Sequence, residues 1–252
     1  MKRFIAGLGS ALAYFTTLPV GGFARGLAPD AYALSFLPLV GALIGILAGS
    51  LGIATARVAP SLVPIVVLAA IWLLSGAIHV DGYLDCCDAL FASVTPARRL
   101  EILKDPRHGT FAVVGMALLT LLWWSVLRLA GPHTSWIFIL AVTGAMSRLV
   151  SVCNAWAFRY APGGTVTDAS SARPNVAIVL TCAIALECVV WWMFGPMALA
   201  ILPVALVLSL GFGRYAARRF GGGITGDAYG FVVAAIEPLL LCALLGFRPF
   251  VP

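Results

Sequence analysis

Charge is scarce in this sequence, and acid scarcest of all. Of 252 residues, 10% are charged and 62% hydrophobic, with 10 Asp and Glu against 16 Lys and Arg. With a mean hydropathy of +1.03, that composition excludes an ordinary soluble globular domain. Cysteine is thin as well: the six residues at 86, 87, 153, 182, 188 and 242 show no zinc-like spacing, and an adjacent pair suggests no disulfide framework. They read as small hydrophobes. No low-complexity linker, repeat or separate soluble domain is detectable, so residues 1–252 read as one integral-membrane unit. No nucleic-acid-binding fold is visible either.

What is there instead is long apolar runs. Those near 33–56, 62–78, 111–130, 135–158, 176–194, 198–213 and 229–246 are of a length to span a bilayer of about 30 Å. The expected fold is all-α: a polytopic membrane bundle of six to seven spans. The run at 4–20 is borderline in length and ends in Thr-Thr-Leu-Pro, so it reads as an interfacial or re-entrant segment of the mature chain, without a convincing cleavage site. If the loops at 79–110, 159–175 and 214–228 share a face with the N-terminus, that face collects 12 of the 16 basic residues, the others being Arg57, Arg128, Arg148 and Arg248. By the positive-inside tendency it is cytoplasmic, and the net charge of +6 is mostly topological.

The few acids are not scattered. His79-Val80-Asp81-Gly82-Tyr83-Leu84-Asp85-Cys86-Cys87-Asp88 puts three carboxylates within eight residues. On a helix Asp85 lies roughly 40° round from Asp81, and Asp88 about 20° to its other side, so all three share one stripe. Gathering like charges is costly unless a cation sits among them, and Mg²⁺ held by carboxylates and substrate phosphates is the usual solution. A lone acid at a span end is commonly a solvated cap; three on one stripe point to chemistry. His79 reads either as an interfacial histidine or as a group that orients a carboxylate or acts as a base. The loop that follows carries Lys104, Asp105, Arg107, Gly109 and Thr110. A guanidinium donates paired hydrogen bonds to phosphate, so this loop beside the acidic stripe has the parts for a diphosphate substrate.

A second cluster, Gly221-Gly222-Gly223-Ile224-Thr225-Gly226-Asp227, precedes the last span. Its glycines free the backbone to approach a ligand and aim N–H groups at it, and Asp227 adds a fourth carboxylate at the same membrane face. It lacks the Lys-Ser/Thr ending of a Walker loop. Arg98, Arg99, Arg218 and Arg219 read as topology anchors. Arg148 lies inside a span, where a charge implies a partner or a wet cavity; Glu187 is similarly placed and unexplained. The tryptophans read as packing or interfacial-belt residues.

Together these pieces resemble the adenosylcobinamide-GDP ribazoletransferases, also called cobalamin (5′-phosphate) synthases. The likeness runs through most of the chain: Phe15 to Val20, Pro38-Leu39-Val40-Gly41 with Gly45, the His79 to Asp88 motif, Lys104-Asp105-x-Arg107-x-Gly109-Thr110, Ser147-Arg148, Tyr160-Ala161, and Gly222-Gly223-x-Thr225-Gly226-Asp227-x-x-Gly230. There are departures. Thr17 and Pro162 stand where the family usually has Arg, 163–173 matches poorly, and Ala234 stands where a Glu is common, with Glu237 three residues on and placed to substitute from the same face.

The resemblance implies a Mg²⁺-dependent transfer at a multi-pass site on the cytoplasmic face of the cell inner membrane. Adenosylcobinamide-GDP donates adenosylcobinamide phosphate to α-ribazole or α-ribazole 5′-phosphate, and GMP leaves. Asp81, Asp85 and Asp88 would bind Mg²⁺, with Asp227 as a further ligand or a carboxylate behind the ligands. One carboxylate, Asp88 for preference, or His79 would take the hydroxyl proton. Lys104, Asp105 and Arg107 would form the diphosphate site, and Gly222, Gly223, Thr225 and Gly226 would make room for a phosphate or nucleotide. Lipid is the solvent, nucleic acid is no partner, and a homo-oligomer is left open. The nearest rival, a CDP-alcohol phosphotransferase, would need an Ala-Arg pair where Leu84-Asp85 stands. A transporter would place its polar residues at the midplane, in symmetric repeats.

Overall fold

The computed structural model describes residues 2–20, 30–130, 135–161 and 173–247. Arg25, Pro162, Arg248 and all of the 163–173 segment except Arg173 lie outside the described residues. In chain order the helices are α1 Lys2–Phe15, α2 Ala31–Leu34, α3 Leu37–Val58, α4 Val63–Leu74, α5 Ile78–Phe91, α6 Pro96–Ile102, α7 Thr110–Leu129, α8 Trp136–Ala157, α9 Val176–Phe194, α10 Ile201–Arg219 and α11 Gly226–Leu245. Six are long and apolar enough to cross a membrane: α3, α7, α8, α9, α11, and α10 with the 3-10 turn before it. This is the polytopic helical bundle expected, and the chain is a multi-pass membrane protein.

Helix α8 is the hub, with 78% of its apolar window buried against 22% for α9. It packs on α3 through glycine. A Cβ on Gly41 would stand 2.1 Å from the carbonyl oxygen of Gly144, one on Gly45 2.1 Å from that of Leu140, and one on Gly49 2.6 Å from Cα of Ile137. In lipid there is little hydrophobic gain in bringing two helices together, so this backbone-to-backbone approach is what the pair gains from dispersion. Gly45→Ala should therefore lower stability in detergent by about 3 kcal/mol. Gly211→Ala, at a position with nothing within 4 Å, should not; thermal melts of the two variants check it.

Deep in the bundle, Arg148 of α8 ion-pairs with Glu237 of α11, and both are buried. That is the partner a mid-span arginine requires. Glu237 is thus committed to Arg148.

The span expected at 62–78 stops early. Gly76 N–H bonds the Leu73 carbonyl and Ala77 N–H that of Trp72, with Gly76 left-handed at φ 61°: a Schellman stop. Ala77 is left-handed too, at φ 56°, and the chain leaves α4 at 89°. The end of α1 secures this corner, since Thr17 donates its N–H to the Leu74 carbonyl at 2.9 Å and its hydroxyl to that of Leu73 at 3.0 Å. With 14 residues and three carboxylates α5 is not a span of its own, and with α4 it makes a bent pair. It lies against the first turns of α7 and α11, where the loops after α8 and α10 also meet.

Candidate active site

Packing on both neighbours aims α5. Gly82 lets α11 come close: a Cβ there would stand 2.9 Å from Cα of Asp227. Gly115 of α7 makes room for Cys87 and Tyr83 in the same way. The result joins Asp227 to the stripe. Asp81 is exposed while Asp85 and Asp88 are partly buried. Burial first, and then the charges of Asp81, Asp227 and Asp88, push Asp85 up to about 7.

Asp88 has a second task. Its carboxylate accepts the N–H of Gly109 at 2.5 Å and that of Ala112 at 2.9 Å. Gly109 is the N-cap of α7 and has no side chain to cap with, so Asp88 supplies the cap from another helix. Both oxygens are engaged, which argues against the preference for Asp88 as proton acceptor. Asp88→Ala should leave two orphan donors and destabilise the protein by about 1–2 kcal/mol. Hydrogen exchange should show the loss as faster exchange at the start of α7.

His79 does not join the carboxylates. It stands about 180° round α5 from Asp88 and about 120° from Asp85. Its ring is buried and stacked on Phe15 at 6.1 Å. Buried against Phe15 and turned away from the stripe, it is a packing group. The histidine that does approach the stripe is His108, whose Nδ1 lies 3.7 Å from Asp85 Oδ1. That is too long for a hydrogen bond but close enough to feel the charge. Sequence reasoning passes over it, although it sits inside the Lys104 to Thr110 motif.

In the same loop Arg107 makes a two-pronged pair with Asp105, Nε to Oδ1 at 2.9 Å and Nη2 to Oδ2 at 2.8 Å, which holds Asp105 down to about 2. The exposed Arg107 fork thus faces its own loop. Lys104 follows α6, and among the described residues its side chain has no hydrogen bond or ion pair.

The glycine loop is a clamp as much as a cradle. Tyr160 and Ile224 form a short parallel bridge, with Ala161 N–H on the Ile224 carbonyl and Ile224 N–H on that of Arg159, each at 2.9 Å. Gly223 must be glycine, because a Cβ would stand 2.6 Å from Ala161 N. The N–H groups of Gly222, Ile224 and Gly226 are used by Ala217, Arg159 and the Tyr160 hydroxyl. Three of the N–H donors expected for a nest are thus spent within the protein, and the loop aims the first turn of α11. There Thr225 donates its hydroxyl to Asp227 at 3.2 Å.

Two basic residues differ from the reading as surface anchors. Arg99 is buried and donates Nη1 to the carbonyls of Ala89 and Leu90. Arg219 donates Nη2 to Leu90 at 2.8 Å. Both cap the C-terminus of α5.

Among the described residues, no three His, Cys, Asp or Glu side chains close on a point that could hold an ion. Mg²⁺ does not require that, since it usually keeps several waters and takes one or two carboxylates plus substrate phosphates. The donor set is all hard oxygen, and its mutual repulsion at Asp85 is what a cation would relieve, so these residues fit Mg²⁺ chemically.

The chain as a whole has known relatives. Residues 7–245 match the family model described as Cobalamin-5-phosphate synthase. Proteins named adenosylcobinamide-GDP ribazoletransferase are similar along almost their full length. The one from Ralstonia pickettii (strain 12J) is 33% identical over 247 residues, 95% of each chain. That from Klebsiella pneumoniae (strain 342) is 33% identical over 257 residues, covering 97% of this chain and 100% of its own. No solved structure matches. On these grounds the chain belongs to the cobalamin-5-phosphate synthase family.

Proposed function

We propose that this protein is a Mg²⁺-dependent adenosylcobinamide-GDP ribazoletransferase. It transfers adenosylcobinamide phosphate from adenosylcobinamide-GDP to α-ribazole or α-ribazole 5′-phosphate. The acceptor's ribose hydroxyl oxygen forms a bond to the phosphorus on the cobinamide side of the diphosphate, the bond from that phosphorus to the bridging oxygen breaks, and GMP leaves with that oxygen. The observation that carries this reading is the convergence of four carboxylates at Asp85, beside a loop bearing Lys104 and Arg107, in a member of this family.

Asp81, Asp85 and Asp227 would hold Mg²⁺, which when bound neutralises charge on the diphosphate oxygens. Asp88 fixes the start of α7 and with it the Lys104 to Gly109 loop. Arg107, released from Asp105, and Lys104 donate to the diphosphate and hold the leaving GMP in line. With Asp88 engaged as a cap and His79 turned away, Asp81, Asp85 and Asp227 are the carboxylates left to accept the hydroxyl proton. The glycine loop from Gly222 to Gly226 places Asp227. The basic residues of the loops at this end support a cytoplasmic orientation of the site, at the inner membrane in this proposal.

The test is turnover by purified protein in liposomes with adenosylcobinamide-GDP, α-ribazole and Mg²⁺. GMP release matched by a cobalamin product, and abolished by EDTA, is the expected result. No product from well-folded protein would sink the proposal.

A further inference from the structure

The two arginines at the end of α5 are more than a cap needs. Both guanidiniums reach the Leu90 carbonyl, and Arg99 also reaches that of Ala89. A helix C-terminus carries about half a negative charge, so two cations exceed it by about one and a half. Among the described residues neither makes an ion pair; the acids of α6 and its loop are taken, Glu101 by Arg98 and Asp105 by Arg107. Arg219 Nε is buried without a hydrogen-bond partner, and the Tyr215 ring lies 5.8 Å beneath its guanidinium. Neutral donors would satisfy the carbonyls. Two partly desolvated cations side by side call for an anion.

The loop that follows is open: Gly222, three residues past Arg219, is exposed with φ 115°, and a Cβ there would meet nothing within 4 Å. At Gly221 the nearest atom is Pro96 Cβ, at 3.6 Å. Paired guanidiniums match the tetrahedral oxygens of a phosphate ester. Leu90 is two residues beyond Asp88, a rise of about 3 Å along the helix, so this site adjoins the carboxylates without being part of them.

We propose that Arg99 and Arg219 form a second receptor for a phosphate ester, and that in catalysis it reads the 5′-phosphate of the acceptor. The catalytic half rests on the transferase reading above. An anionic lipid headgroup offers the same chemistry, so the experiment has two arms.

In the first arm, kcat/KM is measured for α-ribazole 5′-phosphate and for α-ribazole with wild type, Arg219→Gln and Arg99→Lys. Loss of a charged hydrogen bond to phosphate should lower the ratio of the two by about tenfold in Arg219→Gln. The fall should be smaller in Arg99→Lys, which keeps the charge and loses the fork. A merely structural role would depress both acceptors in proportion and leave the ratio where it was.

In the second arm, wild type and Arg219→Gln are melted in phosphatidylcholine nanodiscs with and without phosphatidylglycerol. A rise in melting temperature seen only in wild type, with an unmoved acceptor ratio, assigns the site to a headgroup. If neither ratio nor lipid response separates the two proteins, there is no phosphate site here. If wild type turns over neither acceptor, the transferase reading has failed, and the lipid arm still decides the site.

Discussion

Asp85→Asn is expected to reduce turnover by about 10²- to 10³-fold and yet to raise the melting temperature of the metal-free protein at pH 8. Both effects come from one arrangement. Asp85 lies partly buried among Asp81, Asp227 and Asp88, and its carboxyl is raised from 3.8 to about 7. Between those two values the folded chain holds a proton that the unfolded chain has lost. Stability linked to that proton is therefore complete below about 3.8 and is lost as pH climbs through about 7. Above that, ionised Asp85 works against the fold. Asparagine cannot ionise, so in EDTA the variant should melt above wild type at pH 8, with the gap closing towards pH 4. Added Mg²⁺ should raise the wild-type melting temperature and leave the variant nearly unmoved. Melts in both conditions beside a GMP-release assay decide it. A variant that melts below wild type in EDTA, or that keeps its turnover, would remove Asp85 from the repulsive cluster.

The stripe was legible because it is local: three aspartates at helical spacing declare one face whatever the rest of the chain does. The spans were legible for the same reason, through length and apolarity. The corner at Ser75-Gly76-Ala77 was half legible. A glycine after an apolar run is a helix-stop signal, but the left-handed Ala77 carries none, and the expected span ran on to 78. What stayed hidden is whatever two distant segments make together. Asp88 caps a helix whose N-cap residue comes 21 residues later. In isolation it looks like its two neighbours on the stripe, and only the packing of α5 on α7 separates a capping aspartate from a free one. His79 and His108 exchanged places for a similar reason: sequence proximity favoured the first, and helix phase and the loop fold favoured the second. Gly41 and Gly45 appeared only as points of family likeness, and Gly49 not at all, because a glycine at four-residue spacing does not say which helix it will meet.

Glu237→Ala should cost about 3–5 kcal/mol, the upper end of what a single substitution does to a folded protein. Arg148 has 1% of its surface exposed and already lacks a partner at Nε. Its remaining bonds are to the Gly144 carbonyl, the Ser147 hydroxyl and Glu237. Removing the carboxylate leaves a cation in the middle of an apolar bundle with two neutral acceptors, where neither water nor snorkelling to the interface can reach it. A charge that is costly alone need not be valuable as a pair, however. The double variant Arg148→Met, Glu237→Leu replaces both partners with apolar groups of similar length and should recover most of the loss. Chemical denaturation of both single variants and the double in detergent gives the coupling as a double-mutant cycle. Strong coupling with a stable double variant would mean that the pair's own attraction barely exceeds its desolvation. A double variant as unstable as Glu237→Ala would mean that the polar pair itself holds α8 to α11. Turnover then separates a further role: α11 carries Asp227 at its first turn, so a stable double variant with reduced kcat and unchanged Mg²⁺ dependence would show that the pair sets the helix register on which the carboxylates depend.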